Sequence, residues 1–497
     1  MLYFRMLNKL FLPLPLHLFL YFFTALSFAL AIDISMVDDG LRHISYAAHM
    51  PVMNNWGEIF PHSLFTAYDP WKTWHVFLQF LLSFIPFDII HVVINTLSLF
   101  FLMLLLDIFI RKYIKYNFYS FIYLLVFCLI YLSSSRYLML RPDLLSGLFV
   151  MGALLLKNRF FPIFILTIVY SPFYYLFFLY TGSMGLVYMI QKKWFAFTGV
   201  FLGSLIIGIL FLMHDAQGYI QTIIHILTDQ TLRMGLEVGE GRALFEIFSH
   251  MSYLVLLPLF FGFSAILIYK YYTYFYTNSL ALFLLITSIL WVNQVRYFSL
   301  FFPLILVYII SIVFNSNKKV LTQTIRKYFI LLKRYTNFSK KVPLFYLIAI
   351  PYTIAVFTFT FHEKSQNEEI EEATFFKNSI FNNKTILLNT LSTDIYKALY
   401  NNPTLHFVPS CSVGWFDNKN KKMKDIYIRM QKEHGIDENE LLSLIQYVNA
   451  DFYIHYLRNK KQALDFDKLK NLGIIPEIIY HNRIIFKINK PLGKNYD

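Results

Sequence analysis

Long apolar runs, separated by short clusters of lysine and arginine, fill the chain up to about residue 361. A helix needs about 20 apolar residues to cross a bilayer. Continuous runs without period-2 alternation argue for helices and against the strands of a membrane barrel. The pattern predicts about eleven membrane spans. They lie near 9–31, 88–110, 117–135, 138–156, 160–171, 173–190, 194–213, 251–270, 277–292, 297–314 and 342–361. The fifth and sixth are broken at Tyr170-Ser171-Pro172, so they read either as short helices meeting at the outer surface or as one re-entrant unit. The stretch from Trp74 to Phe87 is apolar but too short to span, and it stops at Pro86. It predicts an interfacial helix.

From about 362 the pattern changes. An acidic linker, Glu368-Glu369-Ile370-Glu371-Glu372, leads into a segment of ordinary soluble composition. Short apolar runs at 384–389, 404–409 and 451–456 suit strands, and 438–448 and the stretch after Ser392 suit helices. The runs 474–480 and 483–488, joined at His481-Asn482, suit a terminal hairpin. The predicted fold is therefore a polytopic α-helical membrane domain over 1–361 with a small α/β domain over 362–497.

Charge fixes the orientation. With the N-terminus inside, every short inner loop is basic: Arg111, Lys112 and Lys115, then Lys157 and Arg159, Lys192 and Lys193, and Lys270. The loop 315–341 holds eight lysines and arginines and no acidic residue. That is the positive-inside pattern. The formal charge of +14 is thus explained by topology and lipid headgroups, and no nucleic-acid role is needed. The chain is 57% hydrophobic and 15% charged, as a polytopic membrane protein should be. Its first span lacks a small-residue cleavage site and reads as an anchor. Only Cys128 and Cys411 occur, which leaves the redox compartment open.

This topology places three pieces outside: residues 32–87, residues 214–250 and the C-terminal domain. The first holds Asp38-Asp39-Gly40-Leu41-Arg42-His43 just past the first span. Carboxylates at a span end are costly and mark functional sites. Asp38 or Asp39 would accept a nucleophile's proton, or help hold a divalent cation, Mg or Mn. The alternative is a capping box with Ser35. His43 lies one helical turn after Asp39, as a ligand, an orienting partner or a plain surface contact. Arg136 and Arg141, in the outer turn Ser133 to Asp143, and Arg296, in Asn293-Gln294-Val295-Arg296-Tyr297, suit a phosphate through their paired donors. The alternatives are snorkelling to headgroups for Arg136, pairing with Asp143 for Arg141, and a plain interfacial arginine beside the Tyr297 anchor for Arg296. Trp56, Tyr68, Trp71 and Trp74 either stack on a sugar or anchor the loop at the interface. His214, Asp215 and His225 read as polar loop residues or ligands.

An acidic pair in the first outer loop, arginines at outer span ends, about eleven spans and an outer C-terminal domain together resemble the C-type glycosyltransferase superfamily. The resemblance covers the layout of the whole chain, and specific residues match at Asp38-Asp39. It implies an inverting transferase that takes a sugar from a polyprenyl-phosphate or pyrophosphate donor at the outer face. Asp38 or Asp39 would be the catalytic carboxylate, with Arg136, Arg141 and Arg296 near the donor phosphate. The acceptor would be a glycan, lipid or protein, and the place a bacterial inner membrane with a periplasmic C-terminal domain. The chain lacks the Trp-Trp-Asp acceptor motif of oligosaccharyltransferases, which argues against sequon glycosylation. A surface-polysaccharide polymerase or ligase is the nearest alternative. A flippase or transporter is weakened by the lack of charges at span centres.

Overall fold

The computed structural model of the chain describes residues 14–31, 38–49, 60–62, 69–114, 126, 142, 144–228, 266, 269–293, 295–316, 323, 376, 378–389, 399, 402, 404–408, 416, 420–431, 436–456, 465–480 and 483–489. It is mostly helical, with one small sheet. By contact the chain divides into two units. One comprises Met1–Gly40, Phe80–Leu210 and Arg242–Lys364; the other comprises Leu41–Gln79, Phe211–Gly241 and Ser365–Asp497.

The first unit is a helical bundle. Its helices are α1 (Leu14–Ala31), α4 (Phe87–Ile114), α5 (Leu144–Leu156), α6 (Phe160–Tyr170), α7 (Phe177–Ile190), the first part of α8 (Trp194–Thr228), α9 (Tyr272–Thr277), α10 (Ser279–Asn293) and α11 (Val295–Ser316). α1, α5 and α11 pack on α4, and α10 joins α7 to α11. Two stretches are long and apolar enough to cross a membrane, Ile89–Lys112 and Trp194–Ile224. The second leaves Phe195, Phe201, Leu210 and Met213 exposed, which suits a helix facing lipid and not one in a soluble core. The expected spans 117–135, 251–270 and 342–361 lie almost wholly outside the described residues.

Several hydroxyls inside these apolar helices are satisfied locally. Thr24, Thr167, Thr181 and Thr287 each donate to the carbonyl four residues back. This removes the cost of an unpaired hydroxyl away from water. Other bonds tie helices together: Tyr188 donates to Ala153 O at 2.6 Å, and Ser146 and Tyr170 share a hydroxyl bond of 2.7 Å. Two expected basic loops are tight turns, with Lys157 and Lys192 at φ 59° and 53° ending α5 and α7. The Asn158 carboxamide caps the start of α8 by accepting from Ala196 N–H.

Arg111 does not lie in a loop. α4 continues to Ile114, and Arg111 Nε reaches back one turn to both oxygens of Asp107 at 3.1 Å. Both side chains are buried, so the charge sits inside the bundle and is neutralised there. At Tyr170-Ser171-Pro172 the chain leaves α6 through a 3-10 turn, Ser171–Phe173, before α7 begins.

The second unit contains α2 (Asp38–His49) from Leu41 on, α3 (Lys72–Leu82) up to Gln79, and the C-terminal domain. The domain carries β1 (Thr385–Leu388), β2 (His406–Val408), β3 (Phe452–Tyr456), β4 (Ile474–Tyr480) and β5 (Arg483–Ile488) in the order β2-β1-β3-β5-β4. β1 pairs parallel with β2 and β3, and the terminal hairpin adds β5 antiparallel to β3. Helices α12 (Lys421–Gln431), α13 (Glu438–Tyr447) and α14 (Phe466–Asn471) complete it. One face of the sheet, with Leu387, Val408, Tyr453 and Phe486, packs on Ile426, Tyr427, Met430, Leu441 and Leu444. The other face is lined by Phe376, Phe381, Phe407 and Phe452. Asp437 and Glu440 form a capping box at the start of α13.

Candidate functional site

α2 starts with Asp38, Asp39 and Gly40 and carries His43 one turn later. The backbone thus places the acidic pair in the first turn of a helix, where the macrodipole favours negative charge. The carboxylates of Asp38 and Asp39 and the side chain of Arg42 lie outside the described atoms, as does Ser35 of the expected capping box. From His43 onward the side chains of Ile44, Ser45, Tyr46 and Ala47 are all buried.

His43 belongs to a chain of three buried polar groups that crosses from α2 to α3. Its Nδ1 lies 2.7 Å from His75 Nε2, and His75 Nδ1 lies 2.6 Å from Asp69 Oδ2. The Asp69 carboxylate also accepts from Trp71 N–H through Oδ1 at 2.9 Å. Asp69 therefore begins α3, with Pro70 at the position where a missing N–H costs nothing. The same carboxylate orients His75 one turn inside the helix it starts. Tyr46 and Trp71 wall the pair: the Tyr46 ring lies 4.5 Å from His75, and Trp71 meets His43 edge-on at 5.5 Å.

This geometry fixes where the protons lie when each ring carries one. A carboxylate only accepts, so His75 bears its proton on Nδ1 and presents a lone pair at Nε2. That lone pair takes the proton of His43 Nδ1. In that arrangement the lone pair of His43 is on Nε2. Both nitrogens of His75 are engaged, so His75 orients its neighbour and is not itself a ligand. Among the described residues no three His, Cys, Asp or Glu side chains are placed to hold a metal ion.

The other expected residues fall as follows. Trp71 and Trp74 are buried and so do not form an exposed stacking platform. His214 lies in α8 and Asp215 at a break within it. α8 kinks at Asp215 (φ −160°, ψ 87°), and Asp215 Oδ1 accepts from Gly218 N–H to start the second half. Lys72 on α3 reaches His214 Nε2 at 2.9 Å. His225 lies on the backbone of α8. Arg296 is the second residue of α11, with its side chain outside the described atoms. Arg136, Arg141, Trp56 and Tyr68 lie outside the described residues. Asp69 and His75 carried a readable signal: Asp-Pro before an apolar helical run marks a helix start, and a histidine six residues later reaches back to that aspartate.

No protein-family model matches the chain, and no curated protein matches it.

Proposed function

We propose that this chain is an inverting glycosyltransferase of the C-type kind, moving a sugar from a polyprenyl-phosphate or pyrophosphate donor to an acceptor at the outer face of a membrane. One observation carries the reading. The helix that opens with Asp38 and Asp39 carries, one turn later, a histidine tied into a buried His43–His75–Asp69 chain. Buried ionisable groups of this kind cluster at functional sites.

In this reading Asp38 or Asp39 takes the proton of the acceptor's hydroxyl as its oxygen attacks the anomeric carbon from the face opposite the donor phosphate. The sugar–phosphate bond breaks, the phosphate leaves with the electron pair, and configuration inverts. Arg136, Arg141 and Arg296 are assigned to the leaving phosphate, whose charge paired guanidinium donors match. The other carboxylate of the pair would help hold a divalent cation, Mg or Mn, which would supply positive charge for the leaving group. The remainder of about eleven spans, a cytoplasmic N-terminus and a periplasmic C-terminal domain belong to the same proposal.

The test uses purified protein in nanodiscs with polyprenyl-phosphate-linked hexoses, reading donor binding and sugar release. Asp38→Asn or Asp39→Asn should lower turnover by about 10²–10⁴ with donor binding kept. Arg141→Ala should weaken donor binding by about 1.5–3 kcal/mol, with lysine restoring only part. Normal turnover in both aspartate variants would remove the acidic pair from the chemistry.

A further inference from the structure

The C-terminal sheet changes its direction of growth at β1. From β1 the chain adds β2 on one side, then returns to place β3 on the other. In an open sheet of parallel strands, such a reversal leaves a crevice at the carboxyl ends of the two strands beside it, and ligands bind there. Here those strands are β1 and β3. Both bear a polar side chain at that end, on the face that carries Leu387 and Tyr453. Asn389 follows the last residue of β1, and His455 stands beside it on β3, one step beyond the pair Leu388 and Ile454. Asn389 is fully buried and His455 is 3% exposed.

The two are joined. Asn389 Nδ2 donates to His455 Nδ1 at 2.9 Å, and the Tyr453 hydroxyl lies 3.0 Å from the same nitrogen. With Nδ1 accepting, the ring proton sits on Nε2, and among the described residues nothing accepts it. Burial also pushes the ring's pKa down to about 4, so it is uncharged at neutral pH. An uncharged N–H donor beside a carboxamide suits hydroxyl groups, each of which both donates and accepts. Phosphates and carboxylates bind most strongly to charged donors instead.

We propose that the carboxyl edge of β1 and β3 is a saccharide-binding site, in which His455 Nε2–H donates to a sugar hydroxyl while Asn389 and Tyr453 hold the ring in that tautomer. The proposal stands independently of the role given to Asp38 and Asp39.

The experiment titrates full-length protein, labelled with ¹⁵N-histidine in nanodiscs, with the methyl glycosides of glucose, galactose, mannose and N-acetylglucosamine, and separately with inorganic phosphate. The His455 Nε2 resonance is identified by its loss in His455→Gln. At least one glycoside should shift that resonance, and Asn389→Ala, which releases the tautomer, should weaken the effect by about tenfold. If Asn389→Ala fails to fold, the shift in the unaltered protein decides alone. A resonance that no glycoside moves, or that phosphate moves in their place, overturns the proposal.

Discussion

A close backbone approach between α6 and α8 makes a quantitative prediction. Gly199 and Gly203 stand one turn apart on α8 and face α6. A Cβ at Gly199 would lie 2.8 Å from the carbonyl oxygen of Phe160 and 3.2 Å from the amide nitrogen of Phe164. At Gly203 it would lie 2.9 Å from Cβ and Cγ2 of Thr167. Carbon contacts settle at roughly 3.5–4.0 Å, so a methyl group at either position overlaps its neighbour. At Gly199 the obstacle is backbone, which cannot rotate away, and the helices must part. At Gly203 the obstacle is Thr167, whose hydroxyl is bonded to Ile163 O at 2.8 Å and would lose that bond by turning. Small residues spaced this way let membrane helices approach closely.

Gly208, on the same helix, has nothing within 4 Å of its would-be Cβ. Alanine gains about 1 kcal/mol of helix propensity at either site, and that gain cancels in the comparison. What remains is the overpacking cost of about 1–3 kcal/mol. Gly208→Ala should thus be neutral or more stable than the unaltered protein. Gly199→Ala should fall below Gly208→Ala by about 1–3 kcal/mol. Unfolding in mixed micelles with rising sodium dodecyl sulfate, followed by far-ultraviolet circular dichroism, measures both. Equal midpoints for the two variants would refute the close packing of α6 and α8.

Three further outcomes follow from particular groups. Asp69→Asn has one acceptor where two are needed, so it either loses the Trp71 cap or turns its NH₂ to His75 and reverses both tautomers; it should cost about 1–3 kcal/mol and change the ¹⁵N spectrum of His43, and an unchanged spectrum would dissolve the chain. Because burial depresses the pKa of His455 from 6.5 to about 4, the unfolded chain binds the extra proton first; the stability of the C-terminal domain should fall as pH drops from about 6.5 to about 4 and then level off. Hydrogen exchange across residues 452–456 reads this, and His455→Gln should flatten the slope. A reporter active only outside the cytoplasm, fused after Asp497, should be active; a stable but silent fusion would reverse the proposed topology.

Much of the C-terminal domain was readable because its strands are short apolar runs bounded by turn residues. The expected runs 384–389 and 451–456 correspond to Thr385–Leu388 and Phe452–Tyr456, and the hairpin limits agree with Ile474–Tyr480 and Arg483–Ile488. Lys421–Gln431 escaped notice because its lysines mask the spacing of Ile426, Tyr427 and Met430, all buried against the sheet. Arg111 was misplaced for a related reason. A basic residue after an apolar run reads as the inner loop, yet its reach back to Asp107 lets the helix continue. Charge marks a boundary only when its partner is not one turn away.

The site shows a sharper limit. Asp38 and Asp39 are adjacent in sequence and stand out at once, whereas the group that orders their helical neighbour is remote. His43 and His75 are separated by 32 positions and meet only because α2 and α3 fold together. Asp69 is the residue that sequence reading undervalues. As a helix cap it would be replaceable by serine or asparagine at little cost. As the acceptor for His75 it must offer two acceptor oxygens, one for Trp71 N–H and one for the imidazole. Only a carboxylate does both without donating a proton of its own. The start of α3 and the proton arrangement at His43 are therefore set by one side chain, so any change that loosens the first reaches the second.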